Sequence, residues 1–111
     1  MNKIEVILNK DAVIINYEDK SNILGYTKDE VLGKNWFDIF IDSRNNDEVM
    51  NVFNGLYQKD INTNFQKYVN DVKIKSGKHL LINFENKLFK NNNNETLLLC
   101  KGEEHLFYKN K

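Results

Sequence analysis

The chain is 111 residues long, enough for one domain with one real core. Its 16 Lys and Arg balance its 16 Asp and Glu, so no net field draws in nucleic acid or an anionic membrane. A single cysteine, Cys100, excludes an internal disulfide and a multi-cysteine zinc site. No apolar run approaches a membrane span and no secretory signal opens the chain, so the expected location is cytoplasmic.

In chain order, Ile4–Leu8 and Ala12–Ile15 are short apolar runs around the polar turn Asn9-Lys10-Asp11, which predicts a β-hairpin. Tyr17–Leu24 is polar and helix-compatible, and Gly25 closes it. Thr27 and Glu30 have the spacing of a capping box, so a short helix is expected from there to Gly33. Asn35 can cap a second turn carrying the apolar patch Trp36, Phe37, Ile39 and Phe40. Asp47–Lys59 is the longest helical pattern, with Val49, Val52, Phe53, Leu56 and Tyr57 on one face.

The period then changes from helix to strand. Tyr68, Asn70, Val72 and Ile74 share one parity, and Ser76-Gly77-Lys78 makes a turn. Leu80, Ile82, Phe84, Asn86 and Leu88 share the next inward parity. Asn91–Asn94 is a polar loop, and Leu97–Cys100 is apolar on both parities, as in a strand covered on both faces at the centre of a sheet.

The stretch from Ile23 to Trp36 resembles the glycine-bracketed segment of PAS domains: Leu24-Gly25-Tyr26-Thr27, then Asp29-Glu30, then Leu32-Gly33-Lys34-Asn35-Trp36. Asp38-Ile39-Phe40 and the turn Lys75-Ser76-Gly77 are similar to two further family steps. The chain departs from the family pattern at Asn16–Asp19, at Ile41–Arg44, and at Gly102–His105, where the family often ends its last strand with Asp-Ile-Thr. The resemblance implies an α+β domain over residues 1–111, with its core at about 4–104 and a tail over 105–111. It implies a five-stranded antiparallel sheet in order 2-1-5-4-3, with one longer and several short helices on one face enclosing a pocket. It also implies a sensory input module of a signal-transduction protein such as a histidine kinase or diguanylate cyclase, whose output domain is not in this sequence.

Three classes of function follow: a ligand-sensing domain, a pairing module that binds nothing, and a small enzyme. Neither His79 nor His105 stands in a nucleophile–base motif, so an enzyme is the least expected. No cofactor is expected either. Haem sensing would want a His on the long helix, covalent flavin chemistry a Cys on a central helix, and zinc a ligand cluster, and the chain has none of these. A small organic ligand would lie between the sheet and the Asp47–Lys59 helix, against Trp36, Phe40, Phe53, Tyr57, Tyr68, Ile82, Phe84 and Asn86. Trp36, Phe40, Phe53, Leu56, Ile82 and Phe84 are also the expected core.

Asn70 and Asn86 stand on inward parity, where a buried amide needs a partner. Either a ligand or water supplies one, or the strands bend past the core there and leave the amides solvated; the second reading is the plainer. Ile7, Leu81, Phe89 and Leu98 are assigned to an apolar stripe on the outer sheet face and to a homodimer interface. The chain starts almost at the first strand, so no preceding helix is expected over that face. The tail Glu104–Lys111, with Leu106, Phe107 and Tyr108, is the alternative cover.

Overall fold

A computed structural model describes residues 3–42, 47, 50–51, 53–55 and 66–105. Strand β1 (Lys3–Leu8) turns into β2 (Ile14–Glu18); helices α1 (Lys28–Val31) and α2 (Trp36–Phe40) follow. Residues 47, 50, 51 and 53–55 are helical, and β3 (Gln66–Lys73), β4 (His79–Lys90) and β5 (Thr96–Glu104) follow. The five strands form one sheet in order β2-β1-β5-β4-β3, and every neighbouring pair is antiparallel. The expected sheet order, the turns at Ser76-Gly77 and Asn91–Asn94, and the central place of β5 are all present.

The first turn is held by Asn9, whose Oδ1 accepts from the Asp11 and Val13 amides. The segment expected as a helix over Tyr17–Leu24 is instead the end of β2 followed by a turn. Asp19 explains the difference. Its carboxylate accepts from the Ile23 and Leu24 amides at 2.8 Å each, meeting locally the donors a helix would otherwise pair. Tyr17 is thereby buried in the core, with its hydroxyl near Asp19 and the Tyr26 carbonyl; burial and then the Asp19 charge push the phenol pKa up.

Asn35 caps α2, accepting from Phe37 N at 2.8 Å. The Gly33–Trp36 stretch is fastened to β2 and the first turn. Gly33 N donates to Ile14 O, Ile14 N to Lys34 O and Trp36 N to Ala12 O. This pins the aromatic residues of α2 over the inner face of the sheet. Trp36 packs at a tilt against Phe40 (4.4 Å between ring centroids) and meets Phe84 edge-on (5.9 Å), while Phe37 meets Phe53 edge-on (5.5 Å). Trp36, Phe40, Phe53, Ile82 and Phe84 are buried, as expected of the core; Leu56 lies outside the described residues.

Register explains both faces of the sheet. Cross-strand rows on the inner face run Leu8–Leu98–Leu88, then Val6–Cys100–Asn86, then Ile4–Gly102–Phe84–Tyr68, then Ile82–Asn70. Gly102 is small because the space is taken. A Cβ there would fall 2.7 Å from Phe84, 2.8 Å from Ile82 and 2.9 Å from Ile4. The outer face is less apolar than the sequence suggests. A row of alternating charge, Glu5–Lys101–Glu85–Lys67, crosses four strands in register. It separates Leu81 from Ile7, Leu99, Leu97 and Phe89, which gather towards the other end. Leu98, assigned to the outer stripe, is 2% exposed on the inner face instead. The cause is parity: with Cys100 and Gly102 inward, Leu98 turns inward too, and Leu97 and Leu99 are the outward pair.

Candidate functional site

A partly open cavity of about 50 Å³ lies between the sheet and the helical layer. The sheet supplies Val6 and Leu8 from β1, Tyr68 and Asn70 from β3, Phe84 and Asn86 from β4, and Leu98 and Cys100 from β5. The helical layer supplies Trp36, Phe37 and Phe53. Of the residues expected to meet a ligand, Trp36, Phe53, Tyr68, Phe84 and Asn86 line this cavity. Phe40 and Ile82 are fully buried away from it, in the packed core, and Tyr57 lies outside the described residues.

Several lining residues escape a reading of the sequence alone. Phe37 was readable as part of an aromatic patch, but only the pitch of α2 decides which of its rings face the cavity. Val6, Leu8, Leu98 and Cys100 look like ordinary strand core, and it is the register that carries them to the same wall. Burial pushes the Cys100 thiol up to about 12, so it stays protonated and behaves as a small apolar group.

The two amides settle one of the open alternatives. Asn70 and Asn86 are 6% and 7% exposed, so the strands do not bend past the core to solvate them. Both stand on the cavity wall. Asn86 Oδ1 is buried with no hydrogen-bond partner among the described residues. Glu103 Oε2, on the outer parity of β5, is the other such atom. Native interiors leave few polar atoms unpaired, and each costs roughly 1–3 kcal/mol.

Among the described residues no cluster of His, Cys, Asp or Glu could hold a metal ion. His79 is engaged on the surface, with Nδ1 2.8 Å from Asp71 and Nε2 3.6 Å from Asp42. His105 Nδ1 lies 3.1 Å from Asn83 Oδ1. Neither reaches the cavity wall. No described helix is long and apolar enough to cross a membrane.

No protein-family model matches the sequence, and no curated protein does. Solved structures match over nearly the whole chain. The PAS domain of the Cronobacter turicensis RpfR quorum-sensing receptor, in complex with C12:0, superimposes with a TM-score of 0.76 at 23% identity, covering 96% of each chain. The PAS-B domain of Drosophila melanogaster Cycle, with bound ethylene glycol, gives 0.75 at 14% identity, covering 92% of this chain and 99% of that one. The PAS domain of an HTR-like protein from Haloarcula marismortui gives 0.75 at 17% identity, covering 93% and 81%. The chain has the PAS fold.

Proposed function

We propose that this PAS fold is a sensory input domain that binds a small organic molecule in the cavity between sheet and helices and signals occupancy to an output domain. The reading is carried by Asn86, an amide on the wall of an apolar cavity whose oxygen lacks a donor among the described residues. An interior that leaves such a group unmet is incomplete without an occupant. The similar domains of RpfR and Cycle hold C12:0 and ethylene glycol respectively, and another similar structure is the PAS domain of a two-component sensor histidine kinase. These support a sensory signalling role; we read the protein as non-enzymatic and cytoplasmic, with an output domain of the kinase or cyclase type.

A second reading, a homodimerising module without a ligand, is favoured by the cavity's size. About 50 Å³ takes only three or four water-sized groups, and water alone could satisfy Asn86. Pairing through the outer face suits both readings. A two-fold axis running between β4 and β5 would set Leu97 against Phe89 of the copy, Lys101 against its Glu85 and Glu5 against its Lys67.

A fragment screen by NMR on labelled protein separates the readings. Sensing predicts hits whose shifts cluster on Trp36, Phe53, Phe84 and Asn86. A screen in which no compound moves those signals would leave the pairing module standing.

A further inference from the structure

We infer that the molecule this cavity takes is neutral and protic, a short alcohol or primary amide of a few non-hydrogen atoms, with Asn86 as the group that orients it. The inference rests on the ligand-binding reading above and names the chemistry of that ligand.

The wall carries no ionised group among the described residues. Its polar members, all neutral, are two amides, the Tyr68 phenol, the Cys100 thiol and the Trp36 indole N–H. A carboxylate or an ammonium ion entering here would give up hydration and meet no counter-charge among the described residues, a cost that a neutral guest is spared. A purely apolar guest would fill the space but leave Asn86 Oδ1 as it is, without a donor. A ketone or ether accepts hydrogen bonds and donates none, so it can engage the amide NH2 but leaves the amide oxygen unmet.

An alcohol or a primary amide both donates and accepts. The Asn86 amide can meet either role, because its terminal torsion is soft and turns oxygen or NH2 towards the guest. Size narrows the class further. The rows of Asn86 and Asn70 are four residues apart along β4, or roughly 13 Å at strand rise. A guest matched to about 50 Å³ therefore engages one amide at a time. Asn86 is the one with the unmet atom, and Cys100 and Val6 beside it in the row leave the guest's other end an apolar seat.

The test is a set of near-isosteres titrated at pH 7 into isotope-labelled full chain, reading the Asn86 side-chain amide and the Trp36 indole N–H. The probes are 1-propanol, propionamide, acetone, propionate and propylammonium. Propanol and propionamide should give saturable shifts, and the two ions should need at least about tenfold higher concentration. Acetone should fall between, and Asn86→Leu should weaken propanol about fivefold or more. The ranking is read on the wild-type protein, so it stands whether or not the variant folds. Propionate or propylammonium binding as tightly as propanol at these signals would overturn the neutral class and leave the cavity reading intact. Shifts from every probe confined to other residues would overturn both.

Discussion

The Lys75 ammonium lies 2.6 Å from the Glu30 carboxylate, and the contact clamps the β3–β4 turn onto the start of α1. The clamp has further parts. Lys75 N donates to Leu24 O at 3.0 Å, and the Lys75 ammonium sits 5.7 Å from the centre of the Tyr26 ring. Gly25 makes the approach feasible: its φ is +87°, and a Cβ there would fall 3.0 Å from that of Lys75. Gly25→Ala should therefore destabilise the domain by about 1–2 kcal/mol from backbone strain alone, read as a lower urea midpoint. An unchanged midpoint would mean that the turn does not dock as described.

Glu30 also makes stability depend on pH. Lys75, and then the Thr27 amide that donates to Glu30 Oε1 at 2.8 Å, hold its carboxyl below the ordinary 4.5. The folded pKa lies below the unfolded one, so the contribution is present above the unfolded value and lost as pH falls through the folded value. Wild type should exceed Glu30→Gln in stability at pH 7, and the two should converge well below 4.5. A gap that stays constant down to pH 3 would assign the effect to something other than charge.

Gly102→Ala should cost roughly 1–3 kcal/mol, because the added methyl meets three core side chains at once. Pairing it with Phe84→Leu should recover part of that loss. Strictly additive losses in the double-mutant cycle would show that Phe84 is not what crowds the position.

Cys100 should resist thiol reagents while the domain is folded. It is buried, and its thiol pKa of about 12 leaves almost no thiolate at pH 8. A disulfide reagent should label it orders of magnitude more slowly in buffer than in denaturant. Equal rates would place the side chain outside the core.

Much of the fold was legible in the sequence because the signals were local. The change from helical to strand period, the capping residues Asn35 and Glu30, and the turn at Ser76-Gly77 each act over a few residues. The stretch after Tyr17 is not the helix its composition suggests, because Asp19, which looks like an ordinary helix-compatible residue, closes a turn on its own chain. The candidate site was only partly legible, because a cavity wall is a matter of register between strands far apart in sequence. Leu97–Cys100 reads as apolar on both parities, so nothing in the stretch itself says that Leu98 faces in and Leu99 out. Gly102 gave no signal either, since the reason for it is carried by Ile4, Ile82 and Phe84.

Pairing through the outer face should be lost in Leu99→Lys, which sets a second cation against Lys87 of the copy beside the half-buried Ile7 and Phe89. Leu81→Glu, beyond the charged row, should have the smaller effect. Sedimentation at tens of micromolar decides it: the wild type should run as a dimer and Leu99→Lys as a monomer. A monomeric wild type would remove the outer-face pairing.

The central claim is that the cavity behind Asn86 is built to be occupied, and electron density in a crystal of the protein soaked with 1-propanol tests it most directly. The account predicts density for the alcohol among Trp36, Phe53, Phe84 and Asn86, with its oxygen within hydrogen-bond distance of the Asn86 amide. Density for water alone there, or for the alcohol only on the outer sheet face, would contradict it.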